Sequence, residues 1–111
     1  MMKTQSVDFP PSGVLVPMLT PLDDDGMVNK TAIAHLVDHL LAGGANGIFA
    51  LGSAGEGPWL TPSQQREVVE CTSRAVAGRV PVIAGVLEPS TNRSLEAVRR
   101  AESVGAEMVC C

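Results

Sequence analysis

The chain has 111 residues, 45% of them apolar, with a formal net charge of −4 and a pI near 5.0. That is one domain's worth of chain at most, apolar enough to build a core and too acidic for a nucleic-acid partner. No apolar run approaches the roughly 20 residues of a membrane helix, and the first dozen residues lack the charged-then-apolar layout of a secretory signal.

Residues 1–12 read as a flexible leader in which Pro10-Pro11 resists regular structure. Gly13 to Leu19 is short, apolar and β-branched and predicts a first strand, with Pro17 suited to an edge or a strand end. Thr20 to Gly26 is turn chemistry. Asn29 can cap a helix whose apolar stripe is Ile33, Leu36, Val37, Leu40 and Leu41 and which Gly43-Gly44 stops. Gly47 to Leu51 is a second strand. Thr61-Pro62-Ser63-Gln64 is a strong helix start: a threonine cap, a proline at the first position and a glutamine at the third. Gln65, Val68, Val69, Thr72 and Val76 form the inward stripe of that helix, and Gly78 ends it. Pro81 to Val86 is strand three. Ser90 or Thr91 caps a third helix with Leu95, Val98 and Ala101 inward and Gly105 as its stop. Met108 to Cys111 opens strand four.

The order is βαβαβαβ. Its strands are continuous apolar runs rather than alternating ones, which predicts a parallel sheet covered on both faces. Gly44-Ala45-Asn46-Gly47-Ile48-Phe49 and Gly105-Ala106-Glu107-Met108-Val109-Cys110 occupy equivalent helix-to-strand joints, a weak internal echo. Right-handed crossovers then allow an open doubly wound sheet or part of a (β/α)8 barrel. A barrel takes about 250 residues. Residues 13–111, three βα units and a fourth strand with no helix after it, read as the first part of a larger α/β fold, with both architectures open at this point. The three cysteines, Cys71 and the adjacent Cys110 and Cys111, suit neither a disulfide nor a zinc site and read as free buried thiols in a reducing cytoplasm.

The stretch richest in chemistry is Gly52-Ser53-Ala54-Gly55-Glu56, directly after the second strand. Its glycines let the backbone turn sharply, and its small side chains leave amide N–H groups open. Such a turn at the carboxyl end of a strand is a natural seat for a carboxylate or phosphate.

Four segments in order carry a family likeness: Thr20-Pro21-Leu22-Asp23-Asp24-Asp25-Gly26, Gly52-Ser53-Ala54-Gly55-Glu56, Leu60-Thr61 with the helix after it, and Pro81-Val82-Ile83-Ala84-Gly85. With these the chain resembles the dihydrodipicolinate synthase and N-acetylneuraminate lyase family of pyruvate-dependent aldolases. The resemblance implies a (β/α)8 barrel, usually a homotetramer, in which a lysine of the sixth strand forms a Schiff base with pyruvate or another 2-oxo acid. A tyrosine of the fifth strand relays protons, and no metal or diffusible cofactor is needed. By the same resemblance Ser53 sits in the proton relay, the amides of Ser53 and Ala54 hold the substrate carboxylate, and Gly52, Gly55 and Glu56 shape the loop. Two features depart from the family pattern. Ala54 stands where threonine is usual, and the chain has no tyrosine and only two lysines, Lys3 and Lys30, neither placed for Schiff-base chemistry.

Rival readings attach to several residues. A hydrolase elbow at Ser53 requires a small residue where Leu51 stands. Glu56 is either a general base or, more in keeping with its place before a helix start, an acceptor of backbone N–H bonds. His35 and His39 have metal-binding spacing but fall opposite the apolar stripe, on a solvated face. Asp23-Asp24-Asp25-Gly26 is a turn rather than a calcium loop, because the later ligand positions are apolar or basic. Trp59 either walls the site or packs between subunits. If the chain were complete at Cys111, a small α/β anion-binding module without catalysis would be the alternative function. A dinucleotide-binding unit is disfavoured by the glycine pattern.

Overall fold

The structure, a computed structural model, describes residues 11–111, so most of the segment read as a leader lies outside the described residues. The strands are β1 (Leu15–Pro17), β2 (Gly47–Ala50), β3 (Val82–Gly85) and β4 (Met108–Cys110). The helices are α1 (Lys30–Ala42), α2 (Pro62–Val76) and α3 (Thr91–Ser103), with a single 3-10 turn at Gly57–Trp59 before α2.

Each helix starts where a side chain satisfies an orphan backbone donor. Asn29 Oδ1 accepts the Ala32 N–H at 2.9 Å. Thr61 and Gln64 form the reciprocal capping box, with Thr61 Oγ1 accepting from Gln64 N at 3.1 Å and Gln64 Oε1 from Thr61 N at 2.9 Å. Of the two candidate caps for α3, Ser90 is the one used, accepting from Arg93 N at 3.3 Å. Helix α2 ends on Ala77 at φ 53°, a left-handed conformation that an L side chain enters at a cost of about 1–2 kcal/mol. Glycine is the residue of choice at such a cap. Ala77→Gly is therefore expected to stabilise the fold by about 0.5–1 kcal/mol, read as a higher denaturation midpoint with unchanged slope.

All strand pairs are parallel and the order is β1-β2-β3-β4. A doubly wound sheet reverses direction about its first strand, whereas a barrel adds each strand beside the last, so the order is that of a barrel segment. Pro17 is the last residue of β1, and the next bond to β2 runs from Met18 N–H to the Phe49 carbonyl at 2.8 Å, so the missing N–H of Pro17 breaks no bond to β2. Side chains alternate along the strands. Ile48, Ala50, Val82 and Ala84 join Ile33 and Val37 of α1 and Val68, Val69 and Val76 of α2 in one buried core. Phe49, Ile83 and Met108, aligned in register, line the opposite face. The helices pack side by side, α1 on α2 and α2 on α3.

The predicted stripes of α1 and α2 point inward. That of α3 differs: Ala97 and Ala101 are buried, whereas Leu95 is 46% exposed. The helix turns its small i, i+4 pair to its neighbours, and Leu95 lies roughly 140° around from it at ~100° per residue. The cysteines differ as well. Cys71 is half-buried, whereas Cys110, in β4, and Cys111, just after it, are exposed. Burial, the largest influence, pushes the Cys71 thiol above its ordinary range.

The internal echo is structural. At the first joint Asn46 N–H donates to Val14 O and Asn46 Oδ1 accepts from Val14 N, both at 2.8 Å. At the second, Glu107 N–H donates to Val82 O at 3.0 Å and Glu107 Oε1 accepts from Val82 N at 2.9 Å. Each joint thus brackets the entry of the preceding strand with the same pair of bonds.

Candidate functional site

Strand β2 ends abruptly at Leu51, whose φ of 64° is left-handed and whose side chain is 3% exposed. A bulky residue there is strained and is held in place by its surroundings. Gly57 and Gly85 press on its carbonyl from two sides, and a Cβ on either would run into the Leu51 oxygen. The signature glycines are likewise needed for close approach. A Cβ on Gly52 would lie 3.0 Å from the Phe49 ring, and one on Gly55 would lie 2.8 Å from the Met18 carbonyl oxygen. Neither has a positive φ; the left-handed positions fall on Leu51 and Glu56 instead.

Hydrogen bonds within the loop fix the direction of its peptide groups. The Gly52 carbonyl accepts from Gly55 N and Gly57 N at 3.1 Å each, and the Ser53 carbonyl accepts from Glu56 N at 3.1 Å. A trans peptide holds its N–H antiparallel to its C=O. Turning the Gly52 and Ser53 carbonyls into the loop therefore turns the Ser53 and Ala54 N–H groups out of it. Neither amide meets an acceptor among the described residues, and both residues are exposed. The result is a pair of open N–H donors beyond the carboxyl end of a strand, suited to a small anion.

Sequence reading missed how the loop is braced. The Thr20 hydroxyl, 7% exposed at residue level, donates to the Gly55 carbonyl at 2.6 Å. Gln65, expected only to face inward, donates from Nε2 to the Gly57 carbonyl at 2.9 Å and accepts from Arg100 at 3.0 Å. Gln64 Nε2 reaches the Gly26 carbonyl at 3.0 Å and so ties the loop after β1 to α2. The expected carboxylate brace is absent. Glu56 is exposed, and its side chain caps nothing among the described residues; its part in the loop is its left-handed backbone at φ 58° and its N–H bond to Ser53.

Other candidates resolve simply. His35 and His39 are exposed, and among the described residues no group of three or more histidine, cysteine or acidic side chains is placed to hold a metal. The aspartates serve their own turn: Asp25 accepts from Met27 N at 3.2 Å, inside the Leu22–Val28 bridge, and Asp23 from Asn29 Nδ2, just past it, at 2.8 Å. Lys30 starts α1 and pairs with Glu67 of α2 at 3.2 Å, in the helix layer; Lys3 lies outside the described residues. Trp59 is 74% exposed beside the loop. Among the described residues no helix is long and apolar enough to cross a membrane.

Four parallel strands in sequential order, with an open amide turn beyond the second, place the chain in the (β/α)8-barrel class. The Dihydrodipicolinate synthetase family matches residues 10–111, and the chain belongs to that family. The 4-hydroxy-tetrahydrodipicolinate synthase of Gluconacetobacter diazotrophicus is 38% identical over 97 residues, 87% of this chain and 33% of the relative. That of Phenylobacterium zucineum is 41% identical over 95 residues, 86% of this chain and 32% of the relative. Among solved structures, dihydrodipicolinate synthase from Bacillus anthracis superposes with a TM-score of 0.84 at 31% identity, covering 94% of this chain and 35% of the other. YagE, a prophage protein of the dihydrodipicolinic acid synthase family from E. coli, solved in complex with pyruvate, gives 0.83 at 30% identity over 87% of this chain and 33% of its own. The chain thus spans about a third of the length of the curated relatives it matches.

Proposed function

We propose that the protein carrying this chain is a pyruvate-dependent class I aldolase or lyase. In this reading the Ser53 and Ala54 amides hold the carboxylate of a 2-oxo acid. The observation that carries the proposal is the pair of outward amides at the end of β2, in a family with a pyruvate-bound member. Two N–H donors fixed before the ligand arrives bind an anion without a reorganisation cost. The Ser53 hydroxyl, which makes no hydrogen bond among the described residues, is then available to pass a proton beside the held acid.

The amine for a Schiff base has to be desolvated to be nucleophilic at neutral pH. Lys30, exposed and paired in the helix layer, does not meet that condition. The proposal therefore places the amine, and the tyrosine of the relay, outside the described residues. It also includes a homotetramer, a cytoplasmic setting and chemistry without metal or diffusible cofactor.

Threonine at position 54 would add a hydroxyl donor to the same carboxylate. A hydrogen bond to a charged group is worth roughly 1.5–3 kcal/mol, so Ala54→Thr is expected to tighten pyruvate binding by about ten-fold or more, measured by titration. Unchanged affinity would mean that another side chain already fills that position. The function itself is tested by borohydride reduction in the presence of pyruvate. A covalent 1-carboxyethyl-lysine, the reduced imine of pyruvate, is expected by mass spectrometry. Pyruvate binding without an adduct would instead favour the anion-binding module without catalysis.

A further inference from the structure

The turn is held from one side by a single residue of another strand end. Thr20 lies beyond β1, 35 residues from its partner, and its buried hydroxyl donates to the Gly55 carbonyl at 2.6 Å. That carbonyl and the Glu56 N–H belong to one peptide group. The Glu56 N–H in turn donates to the Ser53 carbonyl at 3.1 Å, which shares its peptide group with the Ala54 N–H. The two bonds form one continuous line that ends on an open donor: Thr20 O–H to Gly55 C=O, Glu56 N–H to Ser53 C=O, and then the Ala54 N–H, which faces out of the loop.

We propose that Thr20 is a positioning residue for the Ser53–Ala54 anion seat, aligning and polarising the Ala54 amide through the Gly55–Glu56 peptide group. This rests on the reading of that turn as a carboxylate seat. Each peptide is planar and trans, so a donor at its carbonyl end sets the direction of its N–H. Each accepted bond also strengthens the next donor in the line. Gly55 permits the arrangement, since a Cβ there would stand 3.4 Å from Thr20 Oγ1 and 2.8 Å from the Met18 carbonyl oxygen. Without the Thr20 donor the Gly55 carbonyl is buried with no partner, and the peptide gains by rotating. Rotation swings a carbonyl dipole toward the anion and withdraws the Glu56 N–H that holds Ser53.

The test compares Thr20→Val, which keeps the shape and removes the donor, with Thr20→Ser, which keeps the donor. Both are made in the isotope-labelled protein carrying this chain. The probes are pyruvate and, as a carboxylate without the oxo group, acetate; the readouts are affinity, the Ala54 and Glu56 amide resonances, and the melting temperature. The expected result is a five- to ten-fold weaker affinity for both anions in T20V, about one hydrogen bond's worth. The Ala54 amide proton should move upfield at the same time, and T20S should keep both properties. Folded T20V with unchanged affinity and unchanged Ala54 resonance overturns the proposal. T20S as weak as T20V also overturns it, because the methyl and not the hydroxyl would then be responsible. Should T20V not fold, Thr20→Cys, whose S–H is a weak donor, takes its place with the same readouts. If the unaltered protein binds neither anion, the carboxylate reading fails separately. The amide resonances then decide: a shift on losing the hydroxyl supports the alignment through Thr20, and no shift overturns it.

Discussion

Replacing Ser53 with alanine is expected to lower turnover by about 10²–10⁴-fold while leaving the Michaelis constant within a few-fold of its original value. The loop's backbone does not depend on the Ser53 side chain, since every bond that fixes the turn runs between main-chain groups or comes from Thr20 and Gln65. The two outward amides therefore survive the change, and with them the hold on the carboxylate. What is lost is a hydroxyl that is exposed at the mouth and makes no hydrogen bond among the described residues. A group lost only from the proton-transfer step lowers turnover and the specificity constant together. If turnover stayed the same and only the Michaelis constant rose, Ser53 would be a binding residue and the relay role would be wrong.

Gly57→Ala and Gly85→Ala are expected to be the most destabilising single methyl additions around the site. Each places a Cβ against the Leu51 carbonyl oxygen, and neither neighbour is a flexible side chain that could swing aside. Leu51 is itself left-handed and buried, so it has little room to yield. Overpacking of this kind costs about 3 kcal/mol, at the upper end of the usual range. Because both methyls strike one atom, the double variant should lose less than the sum of the two. Gly43→Ala is the control: its Cβ would meet the His39 and Leu40 carbonyl oxygens at an ordinary 3.5 Å, and its φ is negative at −78°. That change should stay within about 0.5 kcal/mol. Denaturant midpoints measure all four. Equal stability of Gly57→Ala and Gly43→Ala would contradict the packing described around Leu51.

The parts of this fold that a sequence reveals are those decided locally. The Thr61–Gln64 capping box, the Asn29 cap and the inward stripe of Val68, Val69, Thr72 and Val76 need only neighbouring residues, and all are present. The sequential strand order followed from the family resemblance, since continuous apolar strands joined by single helices also left a doubly wound sheet open. Residues brought together across the sheet were not legible in the same way. The Thr20 bond spans 35 residues, and nothing in Thr20-Pro21 distinguishes a clamp from turn chemistry. The left-handed Leu51 carries no sequence mark at all; it follows from Gly57 and Gly85 closing on one carbonyl. The glycines of the signature serve close approach to Phe49 and to Met18 rather than positive φ. The orientation of α3 was legible only in part: Ala101 is buried and Val98 half-buried as expected, but the buried Ala97 gives little hydrophobic signal and the larger, exposed Leu95 was placed inward.

The central claim is that the end of β2 seats the carboxylate of a 2-oxo acid. A crystal structure of the protein carrying this chain, grown with pyruvate, tests it most directly. The expected result is a carboxylate oxygen at hydrogen-bond distance, about 2.7–3.1 Å, from the Ser53 and Ala54 nitrogens. Pyruvate bound elsewhere, with those two amides facing only water, would contradict it.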